Sequence, residues 1–489
     1  MARPPWPWVA HAQGLHRALR WTTAEAVLAT ASENFAAPYL VLFAAAMGAG
    51  PLEVSLVAAT PLLLTNVLQL PFGRLAQMTR SRKSLWLAGN AVARLVWVPI
   101  AVLPWVVRDR AALVAAYVGL LALRSAFAAL AVPPWTAMMA DLTDRAWRGQ
   151  YFAMRNVLAN LAALGASVAA GYLVEALGYP TGYAAAFAGA WLFGVLSLAA
   201  ILPVDDPASA RPGEQALPGS APLAPDRGPA PWDWWLGGPR RWRFEAPGFG
   251  EFALTSVLWN MAVHLPFGLF PVYFTQHLHG SAQLWGIANG ATFLSTVLGQ
   301  RPWGRMCDRA GQRPVLVGAG LWAALLPLWW ALVPGPEWVV LINLVGGYVW
   351  AGYNLAAFNL VLEVTPERLR PSYVGLFNTG VGVAAALGPL LGGWLAQRLG
   401  IPAVLVLSTV LRLGALWLFA RWSGTPVPRF PRPAGGWKHR MLALRRRAGA
   451  VGHGPATGLR PSLRGAPVVP APGSGVQCGQ APKGAAPRL

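Results

Sequence analysis

The chain has 489 residues, of which 55% are hydrophobic and only 12% are charged, and its formal net charge at pH 7 is +21. A mean hydropathy of +0.44 leaves too little polar surface to cover a water-soluble globule, so the composition indicates a membrane protein. The positive charge does not indicate a nucleic-acid-binding protein, because it lies in loops and in a C-terminal tail where no Asp or Glu follows Glu367.

Apolar runs recur along the chain, each about as long as the roughly 20 residues that cross a hydrocarbon core as a helix. The sequence predicts twelve such spans and therefore an all-α membrane protein. Spans 1 to 12 are predicted at residues 22–47, 53–75, 84–104, 111–132, 153–177, 181–202, 251–275, 282–303, 314–334, 338–362, 373–397 and 402–421.

The spans fall into two sets of six, in an N-terminal half at residues 22–202 and a C-terminal half at 251–421. Residues 1–21 contain prolines and basic residues but no apolar core, which predicts a cytoplasmic N-terminus rather than a cleaved signal. Residues 203–250 are rich in Pro, Gly and Ala, which predicts a flexible cytoplasmic linker, and residues 422–489 predict a basic, disordered cytoplasmic tail.

Basic residues alternate between successive loops, which predicts the orientation in the membrane. Arg80, Arg82 and Lys83 follow span 2, whereas the loop GAGPLE at 48–53 carries no basic residue. Because loops rich in Lys and Arg stay on the cytoplasmic side, both termini are expected in the cytoplasm. The predicted location is the cell membrane, as a multi-pass protein in contact with the lipid bilayer.

The two halves resemble each other in sequence. PFGRLAQMTRSRK at 71–83, the first charged segment, matches PWGRMCDRAGQRP at 302–314, the second charged segment. TDRAWRGQYFAMRN at 143–156 matches TPERLRPSYVGLFN at 365–378 in the same way. An even number of spans separates the copies, so the repeats share one topology, as in a class of transporters whose substrate site lies between the halves near mid-membrane.

The charged segments resemble the loop pattern G-x-L-A-D-R-x-G-R-[RK] of the major facilitator superfamily and its weaker copy in the second half. The second segment keeps Asp308 and Gly311, whereas the first has Gln77 where the acid is expected. The resemblance implies a twelve-helix fold. It also implies that an acid at a cytoplasmic helix end pairs with the positive N-terminus of a neighbouring helix, and this contact is expected to be weaker in the first half. The alternative is that the basic residues only set the topology. The implied gating residues are Gly73, Arg74, Arg82, Gly304, Asp308, Arg309, Gly311 and Arg313, with Asp141, Arg148, Glu363 and Arg370 as candidate partners.

Few ionisable residues fall inside the predicted spans, and such residues usually face a cavity or a partner. The proton-coupling candidates are Glu33 in span 1, Arg124 in span 4 and His264 in span 7. A Glu33 carboxylate beside Arg124 or Arg94 would exchange a proton as the cavity opens and closes. The alternatives are a permanent Glu33–Arg pair that only fixes packing and a His264 that is merely hydrogen-bonded. Arg124 resembles the arginine of span 4 in drug–proton antiporters; Arg94 and Arg412, in spans 3 and 12, are interpreted as structural because those spans are peripheral in the family.

Polar groups near helix breaks are the candidates for contact with a solute. Pro38 and Pro266 lack an amide hydrogen, so the carbonyls of Asn34 and Ala262 lose their helical donor. These carbonyls either bind solute or are satisfied by neighbouring helices. The predicted cavity residues are Asn34, Asn260, Asn289 and Asn354.

These features favour a drug-exporter-like secondary transporter that moves a small organic solute by alternating access, with proton-coupled export. The alternatives are uptake by the same fold, or a membrane sensor or scaffold that transports nothing. An enzyme is not expected, because no catalytic set converges, and the run at 379–393 that formally matches a dinucleotide fingerprint lies within a span. No cofactor, metal or nucleic acid is expected, the partners are the solute and protons, and the chain is expected to act as a monomer.

Overall fold

The computed structural model of the chain describes residues 13–79, 81–143, 148–204, 248–365 and 370–422. Within these ranges the secondary structure is helical, and a helix lies at each of the twelve predicted spans. The expected all-α fold is confirmed. The predicted linker and tail lie almost entirely outside the described residues.

Nine spans are single helices. They are Pro51–Met78 (span 2), Arg110–Leu142 (span 4), Arg148–Leu177 (span 5), Thr181–Ile201 (span 6), Ala282–Ala310 (span 8), Gln312–Leu332 (span 9), Trp338–Val364 (span 10), Arg370–Leu399 (span 11) and Ile401–Trp422 (span 12). Eleven spans in the described residues are long and apolar enough to cross a membrane; the 29-residue helix of span 8 is not among these eleven.

Three spans are built from two helices each. Span 1 comprises Gln13–Ala36 and Leu40–Ala46, joined by a 3₁₀ turn at Ala37–Tyr39, and span 7 comprises Phe249–His264 and Leu269–Gln276. Both breaks fall at a proline, which removes one backbone hydrogen bond and clashes with the preceding turn. Span 3 comprises Arg82–Leu95 and Trp97–Val106.

The charged segments are helix ends rather than loops, which corrects the expectation of loops at these positions. In the second segment only Gly311 separates the helix of span 8 from that of span 9. Its φ of +83° lies in the left-handed region, where a residue without Cβ is least strained. In the first segment three residues separate the helices, and Ser81 caps the next helix by accepting a hydrogen bond from the Ser84 amide at 3.2 Å.

The spans alternate in direction, so their connections fall at two ends of the bundle. The 48–50 end holds residues 48–50, 178–180 and 277–281, and the 79–81 end holds residues 79–81 and Gly311. Within each half, span 1 packs on spans 5 and 6, and span 7 packs on spans 11 and 12. Between the halves, span 2 packs on span 11 and span 5 on span 8.

Three hydrogen bonds join the halves at the 48–50 end. Trp285 donates to the Pro38 carbonyl at 2.8 Å, the Ala282 amide donates to the Glu175 carboxylate at 2.8 Å, and Ser167 donates to the Gly286 carbonyl at 3.3 Å. The backbones are also close, because a Cβ placed on Gly171 of span 5 would lie 2.6 Å from the Ala282 carbonyl oxygen. The halves are therefore closed against each other at this end.

The 79–81 end differs. A Cβ placed on Gly73 of span 2, or on Gly375 of span 11, would meet nothing within 4 Å. The described parts of these spans thus separate from their neighbours away from the 48–50 end.

Candidate functional site

The charged group of the N-terminal half is centred on Glu33. Its carboxylate accepts hydrogen bonds from Arg94 of span 3 and from Arg124 of span 4, the latter reaching both carboxylate oxygens. Arg94 and Arg124 are only 5% and 6% exposed, whereas 41% of the Glu33 side chain is accessible. Span 1 packs on spans 5 and 6, and the Glu33 carboxylate meets spans 3 and 4 through the two arginine side chains.

Rigid packing fixes both guanidinium groups. The Arg124 guanidinium lies over the Trp97 ring, 4.2 Å from its centroid, and Trp97 in turn stacks on Phe187 at 5.5 Å. Arg94 also donates to the Ser32 hydroxyl at 3.2 Å, and this hydroxyl donates to the Ala190 carbonyl of span 6. A cation over an aromatic face is stabilised by the ring quadrupole. The two arginines are therefore held in place, and Glu33 is the member of the group with room to move.

The structure thus brings Glu33 and Arg124 together as the sequence proposed. Arg94, the other arginine that the sequence offered as a partner of Glu33, bonds the same carboxylate.

A second buried ion pair was missed by the sequence analysis. Arg155 of span 5 donates to Glu25 of span 1 at 3.2 Å, and the two side chains are 12% and 6% exposed. The Arg155 guanidinium lies over the Trp135 ring at 4.8 Å. Glu25 stands two turns before Glu33 in the same apolar helix, and this spacing was the available signal.

His264 is not paired with any acid in the described residues. Its Nδ1 lies 2.8 Å from the Asn260 carbonyl of its own helix, which corresponds to the merely hydrogen-bonded alternative. The Ala262 carbonyl, freed by Pro266, accepts a hydrogen bond from Ser408 of span 12 at 2.7 Å. This hydrogen bond corresponds to the alternative in which a neighbouring helix satisfies the carbonyl.

Arg412 of span 12 lies beside the same break in span 7. It is 2% exposed and donates to the Val263 and Ala323 carbonyls at 3.1 and 2.9 Å. No acid in the described part of the chain contacts it. Arg412 thus joins spans 7, 9 and 12 through backbone acceptors, as a structural residue would.

Three of the four cavity candidates bond to their own helix. The side-chain amides of Asn34, Asn260 and Asn289 each donate to the carbonyl four residues earlier, at 2.8–2.9 Å, and each residue is half-buried. Asn354 of span 10 is exposed. These residues do not converge on Glu33, although their carbonyl oxygens remain able to accept.

The gating residues behave differently in the two halves. Arg82 forms an ion pair with Asp141, at 2.5 Å, across the 79–81 end of spans 3 and 4. In the second half Asp308, Arg309 and Glu363 are exposed, and no ion pair involves them within the described residues. A Cβ placed on Gly304 would lie 4.0 Å from the Leu355 side chain, and Arg313 is half-buried. The side chains of Arg74, Arg148 and Arg370 lie outside the described part of the structure.

The fold and this site define a class of protein: a helical membrane protein of two six-span repeats, with a carboxylate and two arginines buried in its interior. The family model described as Major Facilitator Superfamily matches residues 26–276 and 252–471. The chain belongs to the Major Facilitator Superfamily, which confirms the resemblance of the charged segments.

Two of the similar proteins are named as drug-resistance proteins. The chain is 30% identical over 172 residues to the multi-drug resistance efflux pump PmrA of Streptococcus pneumoniae, covering 34% of this chain and 42% of that protein. It is 31% identical over 134 residues to the multidrug resistance protein MdtG of Dickeya zeae, covering 27% of this chain and 33% of that protein. The aligned parts thus span less than half of these relatives.

Solved structures share the fold. The nucleoside transporter NupG superposes with a TM-score of 0.62 at 14% identity, covering 82% of this chain and 99% of that one. A bacterial homologue of the iron transporter ferroportin, in an inward-facing state, superposes with a TM-score of 0.61 at 15% identity, covering 84% and 100%. At these identities the likeness establishes the fold alone.

Proposed function

We propose that the protein is a secondary active transporter that exports a small organic solute across the cell membrane, with protons moving in the opposite direction and Glu33 as the coupling group. The observation that carries this proposal is a partly accessible carboxylate bonded to two buried guanidinium groups inside the bundle. The efflux pumps among the relatives support the outward direction. A monomer contains the whole group.

The distribution of basic residues supports an orientation with the 79–81 end in the cytoplasm, together with both termini. Under this assignment the state described above is closed to the outside and open to the cytoplasm. Solute would enter from the cytoplasm, and the hydrogen bonds at the 48–50 end would break to release it outside.

Coupling would follow from the pairing of Glu33. In the described state both guanidiniums favour the ionised carboxylate, so a proton carried by Glu33 is released. When the halves rearrange and Glu33 moves away from the two fixed arginines, an isolated carboxylate in this interior favours its protonated form. A proton would then bind from the outside and leave to the cytoplasm as the pairing re-forms.

The first experiment uses inside-out vesicles with an imposed proton gradient and a panel of cationic, neutral and anionic amphiphiles. We expect one chemical class to dissipate the gradient with the native chain and with Glu337→Gln, an exposed-carboxylate control, but not with Glu33→Gln. If Glu33→Gln dissipates the gradient as well as the native chain, Glu33 is not the coupling group. If no compound acts, proton-coupled export is wrong, and uptake or a sensor function takes its place.

Alternating access itself is tested at span 5. Gly171→Ala places a methyl group against span 8 and should disfavour closure of the 48–50 end, whereas Gly165→Ala, on the same helix, meets nothing. In a chain with Cys307→Ser, Cys478→Ser and Thr30→Cys, we expect Gly171→Ala to slow labelling by an impermeant maleimide in inside-out vesicles several-fold, and Gly165→Ala to leave the rate unchanged. Equal rates in both variants would contradict two alternating states.

A further inference from the structure

The buried charges of the N-terminal half do not cancel. Two ion-paired groups lie away from the ends of its spans, Glu25 with Arg155 and Glu33 with Arg94 and Arg124, so that two carboxylates face three guanidinium groups. Glu25 and Arg155 neutralise each other, so Glu33 alone is left to balance Arg94 and Arg124. With Glu33 ionised the site keeps one excess positive charge in a medium where an uncompensated charge is costly.

Hydrogen-bond donors are in excess at the same place. Among the described residues, the Nε atoms of Arg94 and Arg124 have no acceptor, although both residues are at least nine-tenths buried. The same is true of the indole nitrogen of Trp97, which lies under Arg124, and the hydroxyl of Ser125, the next residue, also has no partner. Buried polar groups in proteins are as a rule satisfied, and a cluster of unsatisfied donors calls for acceptor oxygens.

Both observations have one chemical answer. We propose that the transported solute is an organic anion whose carboxylate or phosphonate group binds Arg94 and Arg124 beside Glu33. An oxyanion supplies the missing negative charge and several acceptor oxygens, and guanidinium groups match its planar fork of oxygens in charge and geometry. The partly accessible Glu33 marks the side from which the anion reaches the guanidiniums.

This inference rests on the proposed transport through the Glu33 site, but not on its direction or on the coupling ion. An interior-negative membrane potential itself favours the exit of an anion, so export remains compatible whether or not a proton is exchanged. The role of Glu33 towards the solute is then repulsive. Removal of its charge should strengthen solute binding, whereas a site for cations would lose its binding group.

The test measures equilibrium binding to the purified full-length chain, without any gradient. The probes are carboxyfluorescein and rhodamine 123, which share a tricyclic ring and carry opposite charge. We expect the anion to bind more tightly than the cation, Glu33→Gln to tighten anion binding at least threefold, and Arg124→Gln to weaken it at least tenfold. Arg110→Gln removes one exposed positive charge at the 48–50 end and serves as the matched control, with unchanged binding.

Arg124→Gln leaves the neutral pair of Glu33 and Arg94, so it remains informative if Glu33→Gln does not fold. The proposal is overturned if the anion binds no more tightly than the cation, or if Arg124→Gln leaves the affinity for the anion unchanged. Loss of proton movement together with intact anion binding refutes proton coupling alone. Proton movement driven only by cations refutes the anion site and leaves proton-coupled export standing.

Discussion

The junctions of spans 1, 3 and 6 and of spans 7, 9 and 12 occupy equivalent places in the two repeats but use different chemistry. In the first, Glu33 bonds two arginines and Ser32 bonds the Ala190 carbonyl. In the second, a single Arg412 and Ser408 bond backbone carbonyls of the broken span 7. In the register that aligns Gly171 with Gly393, Arg412 aligns with Ala190.

The difference shows that equivalent junctions in the two repeats take different roles, one structural and one able to change its protonation state. Backbone carbonyls do not change their protonation state and cannot move away from their helix. The second junction therefore supports the break in span 7 in one fixed arrangement. A carboxylate exchanges protons and partners, so the first junction can change state while the second holds its shape. Three predictions test this division, in order of decreasing effect.

The largest contrast compares Glu33→Leu with Arg412→Leu. Glu33→Leu leaves two buried guanidiniums without a carboxylate and should lower the free energy of unfolding by about 2–3 kcal/mol. This loss is smaller than for a fully buried ion pair, because the Glu33 carboxylate is partly accessible. Arg412→Leu leaves no charge behind and loses two hydrogen bonds, so about 1–2 kcal/mol is expected. Denaturant titration in detergent measures both. A larger loss for Arg412→Leu would show that the second junction holds a counter-charge.

A smaller contrast compares the two serines. Ser408→Ala removes one hydrogen bond to a carbonyl, which should cost about 1 kcal/mol. Ser32→Ala removes a bond to Ala190 and also frees Arg94, so its effect should be larger and should extend to solute binding. Melting temperatures and probe binding of the two variants provide the comparison. Equal changes in both quantities would mean that the two junctions serve the same purpose.

The smallest effect is expected at the charged segments. Arg82 and Asp141 are 34% and 48% exposed, so a double-mutant cycle of Arg82→Gln and Asp141→Asn should give a coupling of about 0.2–1 kcal/mol that declines with salt. The same cycle on Asp308→Asn and Arg309→Gln should give no coupling. A salt-insensitive coupling above 1 kcal/mol in the first half would show that this ion pair is shielded from water.

The sequence predicted the elements better than their contacts. The length of the apolar runs located the spans. The high free-energy cost of a charge inside the membrane indicated that Glu33 and Arg124 are partners. The ion pair of Glu25 and Arg155 was missed, because contact between side chains of different helices depends on helix packing that one sequence does not encode locally. The resemblance in the charged segments favoured the second copy, yet the ion pair between described residues forms in the first, since Arg82 and Asp141 meet across two helix ends.

The three hydrogen bonds that join the halves at the 48–50 end set a scale for the conformational equilibrium. Each contributes about 1 kcal/mol net, so together they favour the closed arrangement by about 3 kcal/mol, or roughly two orders of magnitude in population. A solute reverses a bias of this size only if its affinities for the two states differ by at least as much. Because these contacts are a few hydrogen bonds, the free-energy difference between the two states is small enough for the binding of a solute to reverse it.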